Sequence, residues 1–188
     1  MRALLPWLRA ASLVALLAFG GPVNCLAQAD ADATEYRVKA AFLYKFGEYV
    51  EWPGSAFAGP DSTLSIGVLG ADKLADELAR VVAGRTVGDR RVSVRKLHTG
   101  DPMTGLQVLF VGQPESGRLP ELLAASRGHT VLTITESDQA FALGSMINFV
   151  VVDDKVRFDI TLQPAEQSNL KISARLLSVA RKVVARPL

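Results

Sequence analysis

Residues 144–182 read GSMINFVVVDDKVRFDITLQPAEQSNLKISARLLSVARK. Two apolar β-rich runs, 146–152 and 155–162, flank Asp153-Asp154. A two-residue acidic link between such runs predicts a hairpin, although the strongest turn pairs carry Gly or Asn. Pro164 then opens helical sequence, because proline is tolerated in a first turn where its missing N–H has no intrahelical partner. Ile172, Leu176, Ala180 and Val183 follow at helical spacing and predict one long closing helix with an apolar stripe.

Upstream, strands and helices alternate. A helix is expected over 35–50, where Val38, Phe42, Phe46 and Tyr49 share a face, widened by Ala41 and Val50. Tyr36, Leu43 and Gly47 lie on another side, so this helix is apolar on more than one face. Asp32 with Glu35 has capping-box spacing, and Pro53 ends the segment. After a loop at 54–63 come a short strand at 64–69, a helix at 72–83 and an alternating strand at 90–97. An apolar run at 106–111, interrupted only by Gln107, fits a strand buried on both faces. A short helix at 119–126, a strand at 130–135 and a loop at 137–144 lead into the hairpin. Alternation of this kind implies parallel pairing with crossovers. The expected fold class is α/β: a three-layer sandwich with a mixed, mostly parallel sheet, closed by the antiparallel hairpin and its helix.

The first residues read as a processing signal. Arg2 and Arg9 give a basic start, 10–19 is apolar but for Ser12, Gly20-Gly21-Pro22 breaks it, and Ala27-Gln28-Ala29 offers small residues for a peptidase. The run is too short for a spanning helix, which needs roughly 20 apolar residues. An uncleaved amphipathic anchor is the other reading. The residues before Cys25 fit a lipidation site poorly, which favours a soluble product over a lipoprotein. The layout is therefore a signal peptide at 1–29, a mobile leader at 30–34 and one α/β domain at 35–186. Cleavage after Ala29 would leave 159 of 188 residues and remove the only cysteine. The mature chain would enter an oxidising compartment without disulfide or thiol. Losing two arginines lowers the 21 basic residues to 19, level with 19 acidic ones. Nothing in that balance suggests nucleic acid, which would call for a clustered basic face.

Catalytic signatures are sparse. There is no G-x-S-x-G elbow, and His98 and His129 stand far apart without ligand spacing for zinc. Asp153-Asp154 is a turn before it is a calcium site. The sequence Gly67-Val68-Leu69-Gly70 sits where nucleotide folds keep their glycines. It lacks the full spacing, and Asp72 stands as the helix cap, where it would repel an anion. No catalytic residue, metal or cofactor is expected. Arg85, Arg90, Arg91, Arg95, Lys96 and His98 form a basic run, read either as a solvated strand face or as a docking site for an acidic surface. Arg157 and Arg175 could pair with Asp159 or Glu166, or bind an anionic ligand.

The most telling group is aromatic. Tyr36, Phe42, Tyr44, Phe46, Tyr49 and Trp52 crowd one helix and its exit. One helix face cannot bury six aromatic side chains, and Tyr and Trp are residue types that anchor interfaces. Either packing covers both faces, or Tyr36, Phe42, Tyr44, Tyr49 and Trp52 form a surface for a partner or a second copy.

Two stretches carry a resemblance. The runs INFVVVDDKVRFDITLQPAEQSNLKISARLL and YRVKAAFLYKFGEYVEWP resemble the two ends of the YfiR-like family of periplasmic proteins. The matching positions are Lys39, Phe42, Phe46, Trp52 and Pro53 in front, and Phe149, Val156, Arg157, Phe158, Leu170, Ser173 and Leu176 behind. The resemblance implies a non-catalytic periplasmic regulator and a homodimer. It implies binding to the periplasmic sensor domain of an inner-membrane diguanylate cyclase, which holds the enzyme off, keeps cyclic di-GMP low and restrains biofilm formation. Some members carry disulfides proposed as redox controls, and the cysteine-free mature sequence departs from that pattern. Regulation of a membrane sensor kinase, and a periplasmic small-ligand binding protein with its pocket at the carboxyl ends of the parallel strands, are the alternative readings.

Overall fold

In the computed structural model, which describes residues 23–186, Asp153 and Asp154 sit at φ 50° and 56°. Two successive left-handed residues make the two-residue turn whose twist matches a hairpin. The flanking strands pair antiparallel from Ile147↔Ile160 to Val152↔Lys155.

In chain order the elements are α1 (Val23–Glu48), β1 (Val50–Glu51), β2 (Leu64–Leu69), α2 (Asp72–Val82), β3 (Thr86–Val87), β4 (Arg90–Leu97), β5 (Val108–Val111), α3 (Leu119–Ser126), β6 (Leu132–Thr135), α4 (Ala140–Leu143), β7 (Ile147–Val152), β8 (Lys155–Thr161), α5 (Leu162–Gln167), β9 (Lys171–Ile172), α6 (Ala174–Val179) and β10 (Lys182–Val184). Eight strands form one sheet in the order β10-β8-β7-β6-β5-β2-β4-β3, and β1 pairs with β9 in a second, two-stranded sheet. Within the large sheet only β3/β4 and β7/β8 run antiparallel. The sheet is therefore mixed and mostly parallel, flanked by helices as an α/β sandwich.

Strand alternation sorts the core into two layers. Ile66, Val68, Val108, Phe110, Leu132 and Ile134 point toward α1 and α2 and join Leu43, Phe46, Leu74 and Leu78. Leu69, Leu97, Leu109 and Val111 point the other way and meet Leu119, Leu122 and Leu123 of α3. Over β6–β8 this second face is buried yet polar. There Thr135 Oγ1 meets Asn148 Oδ1 at 2.8 Å, and Arg181 Nε donates to Asp159 Oδ1 at 2.7 Å. Burial without a partner costs such a group a few kcal/mol, and these groups are paired, whereas Thr161 Oγ1, buried on the same face, forms no hydrogen bond among the described residues.

Three expectations are corrected. The long closing helix does not form. Asn169 takes φ 55°, Lys171 and Ile172 pair with β1, and Ser173 caps the six-residue α6 by accepting from Leu176 N at 3.2 Å. Val183 continues into β10, parallel to β8 (Val183↔Ile160). At the front, α1 extends upstream through residues 30–34, so the Asp32–Glu35 capping box lies inside a helix rather than at its start. Asp72 is likewise in the first turn of α2, while the cap position is Ala71. The signal-peptide reading rests mainly on residues 1–22, which lie outside the described residues.

Candidate partner-binding surface

The exit of α1 is anchored by two long-range contacts. Val50 pairs with Ile172, and Ser173 N donates to Tyr49 O at 3.0 Å. This folds α6 against the end of α1 and brings Arg175 onto Tyr49, its guanidinium carbon 5.9 Å from the ring centroid. One candidate aromatic residue and one candidate anion-binding arginine, 126 positions apart, thus share a surface.

Two more cations join them. Lys45 Nζ lies 5.5 Å from the Tyr44 centroid and 6.0 Å from that of Tyr49, and Arg85 lies 5.4 Å from Tyr44. Solvent reaches these cations, so each contact orients the ring and the charge more than it stabilises the fold. Lys45 also holds Glu48 at 2.6 Å. That hydrogen bond raises the Lys45 pKa above the ordinary lysine value. Burial pushes the Glu48 carboxyl upward, but Lys45, Tyr44 and Arg85 outweigh it and keep the group below the usual carboxylate range. The Tyr44 phenol is raised, first by burial and then by Glu48. Its hydroxyl donates to Thr86 O at 2.9 Å, so Tyr44 is buried and tied to β3. Trp52, half-buried, donates its indole N–H to Gly47 O at 3.2 Å and meets Phe57 edge-on at 6.4 Å. Beside it a crevice of about 660 Å³ is lined by Trp52, Phe57, Val87 and Arg90. The result is an aromatic surface edged by Lys45, Arg85 and Arg175, with Glu48 as the acid among them.

The other predicted residues lie elsewhere. Phe42 turns inward, its ring 5.2 Å from Phe158, 5.9 Å from Phe46 and 6.1 Å from Phe149. Tyr36, half-buried, lines a separate groove farther up α1 with Phe149 and Val151. Arg157 is exposed on β8 opposite Val150 and forms no ion pair among the described residues. Neither Arg157 nor Arg175 takes Asp159, which Arg181 holds.

The basic run is largely spent inside the fold. Arg90 donates to the carbonyls of Gly59, Pro60 and Ser62 at 2.8–2.9 Å and lies 3.9 Å over Phe57. Arg95 donates to Pro102 O and Thr104 O, and Lys96 pairs with Asp76 at 2.7 Å. Among the glycines read for a phosphate cradle, Gly67 serves packing, since a Cβ there would stand 2.6 Å from Leu106 Cδ1 and 2.7 Å from Leu97 Cδ1. At the carboxyl ends of β2 and β5 the two loops touch. A Cβ on Gly112 would stand 2.6 Å from Gly70 O, so the backbones themselves occupy the place where doubly wound folds bind ligands.

One residue went unremarked in the sequence beyond its family match. Lys39 is 5% exposed and bonds to both Glu35 and Glu136, the latter at 2.5 Å. Glu136 Oε1 also accepts from Gln113 N at 2.8 Å. Burial pulls the lysine pKa down, but Glu136 and then Glu35 more than offset this and leave it raised. The signal was available: Lys39 falls on the same helical face as Phe42 and Phe46, and a cation on an apolar face needs a buried partner.

Among the described residues no helix is long and apolar enough to cross a membrane. A family model described as YfiR/HmsC-like matches residues 36–181. Among solved structures, an ABC domain in complex with L-Trp from Streptococcus pneumonia aligns at 10% identity with a TM-score of 0.49. That alignment covers 64% of this chain and 55% of the other, so the chain spans little more than half of that protein's length.

Proposed function

The chain belongs to the YfiR/HmsC-like family, a family of periplasmic regulators of diguanylate cyclase, and from that premise we propose that it binds and represses such an enzyme. It is exported, cleaved after Ala29 and acts in the periplasm as a soluble homodimer. It holds the periplasmic sensor domain of an inner-membrane diguanylate cyclase in its inactive state, lowers cyclic di-GMP and restrains biofilm formation. It performs no catalysis and carries no cofactor. The family match over residues 36–181 is the observation that carries this reading. The contact is assigned to the aromatic–cationic surface at the exit of α1, where Tyr49 and Trp52 are half-buried anchors and Arg175 is an exposed cation. A complementary sensor face would be apolar with an acidic rim. To move the sensor from 1:99 to 99:1 in favour of its inactive state, the repressor must prefer that state roughly 10⁴-fold.

The test is capture from detergent-solubilised inner membrane with the tagged protein as bait, beside a Tyr49→Ala/Trp52→Ala variant and an Arg175→Glu variant of unchanged circular dichroism. Wild type should retain a membrane diguanylate cyclase, and the variants should retain at least tenfold less. Retention of no cyclase by wild type overturns the reading. Equal retention by the variants moves the contact away from α1.

A further inference from the structure

The upper groove on α1 holds a second feature, independent of the surface above. Strand β6 pairs with β7 only at Ile134↔Ile147 and Thr135↔Asn148, and it ends at Thr135. Strand β7 continues four residues further, and β8 stays paired with it up to Val152↔Lys155. Residues 149–152 therefore have a strand on one side only among the described residues. In a two-residue hairpin the pair next to the turn exchanges both hydrogen bonds, and the pairs alternate from there. Val152 and Val150 thus turn their backbone groups to β8. The carbonyl of Phe149 and both groups of Val151 face the open side.

An unpaired edge is ordinarily blunted by charge or covered by another element. Here it is apolar and open: Val151 is 54% exposed and Val152 37%. Opposite stand Glu35, Tyr36 and Lys39 of α1, with Gln113, Glu136 and Asp138 between, enclosing about 340 Å³. Its charge is one-sided. Lys39 is consumed by Glu35 and Glu136. Asp138 is exposed and forms no ion pair among the described residues, and Asp153 and Asp154 stand exposed at the hairpin tip. The nearby cations Lys155 and Arg157 lie on β8, across β7 from the groove.

We infer that this groove takes an extended, cationic segment of another protein, added as a strand beside residues 149–152 of β7. The backbone of Val151 supplies the ladder, alternate apolar side chains of the segment lie against Tyr36 and Val151, and a lysine or arginine reaches Asp138. Four strand residues span about 13 Å, so a segment of four to six residues fills the edge. This site lies roughly 15–20 Å along α1 from Tyr49, judged from the helical rise, and does not depend on the cyclase reading.

The test uses the purified protein and fluorescein-labelled, end-blocked octapeptides that alternate threonine and valine. One carries lysine at both ends, and its twin carries glutamate. Anisotropy and amide NMR shifts at residues 149–152 are read at two salt concentrations. The lysine peptide should bind saturably, at least fivefold tighter than the glutamate twin, with weaker binding at high salt and shifts centred on Val151. Val151→Pro removes an N–H that β8 does not use, at an edge position where proline is tolerated, and should cost at least fivefold. Asp138→Lys, at an exposed unpaired residue, should cost as much and decides the matter alone if the proline variant misfolds. Equal binding by the two peptides, unchanged binding by Asp138→Lys, or no saturable binding overturns the inference. Conversion of a dimer to monomer by Val151→Pro also overturns it, by assigning the edge to a second copy. None of these outcomes touches the cyclase capture, which reads residues at the other end of α1.

Discussion

Replacing Lys39 with methionine tests how α1 is fastened to the sheet. The substitution keeps most of the side-chain volume, so little cavity forms, and what is lost is charge. Lys39 is 5% exposed, and it is the cation that Glu35 and Glu136 share. Removing one partner of a fully buried pair costs about 3–5 kcal/mol, because the other charge is left uncompensated. Here the carboxylates are partly wet, with side chains 35% and 17% exposed. Solvent reduces the penalty to about 2–3 kcal/mol. At 2–4 °C per kcal/mol for a domain of this size, the melting temperature should fall by about 4–12 °C. The assay is urea and thermal unfolding by circular dichroism for Lys39→Met, Glu136→Gln and the double variant. The double variant should be less destabilised than the sum of the singles, with a coupling of about 1 kcal/mol or more. The sign of the pH dependence follows from the raised pKa of Lys39. The interaction is complete below the unfolded lysine value of about 10.4 and is lost only as pH rises through the higher folded value. The wild-type advantage should therefore be flat from pH 7 to 9 and shrink above pH 10.5. A melting-temperature loss under 2 °C, or strict additivity in the cycle, would refute the reading that Lys39 fastens α1 to the sheet through Glu136.

Three further outcomes follow from the same geometry. Arg181→Ala leaves the carboxylate of Asp159, itself 2% exposed, without its partner and should cost about 1–3 kcal/mol, read in urea with an unchanged m-value. Asp154→Gly relieves a left-handed residue at φ 56° and should raise the melting temperature by about 1–4 °C. Gly112→Ala drives a methyl to within 2.6 Å of Gly70 O, a backbone atom that cannot swing away, and should cost about 1–3 kcal/mol by differential scanning calorimetry.

The elements that declared themselves in sequence are those with strong local period. Strand β4 at Arg90–Leu97 and helix α3 at Leu119–Ser126 match their expected bounds, and the hairpin turn falls on Asp153-Asp154. The closing segment was misread for a physical reason. Spacings of four, four and three between Ile172, Leu176, Ala180 and Val183 suit a helix, yet the chain there is governed by partners far away. Ile172 is claimed by Val50 and Val183 by Ile160. Such pairings leave no mark in a local window, so tertiary contact overrode the apparent stripe.

The candidate surface was legible in the same uneven way. The excess of aromatic residues on α1 was visible, and so was the impossibility of burying them on one face. Which ring goes where was not. Phe42 joins Phe158 in the core, Tyr44 is spent on Thr86, and Tyr49 meets Arg175 only because β1 and β9 pair. The basic run shows the reverse. Its charges were plain, but the loop carbonyls that absorb Arg90 and Arg95 come from segments whose placement the fold alone decides.

The central claim is control of a membrane cyclase, and the most direct measurement is cyclic di-GMP extracted from cells. The comparison sets cells lacking this gene beside cells supplied with the wild-type chain or with its Tyr49→Ala/Trp52→Ala variant at equal periplasmic level. The account predicts that the nucleotide rises on deletion, returns to baseline with wild type and stays high with the variant. A level that does not change on deletion, in cells shown to contain an active membrane diguanylate cyclase, would contradict it.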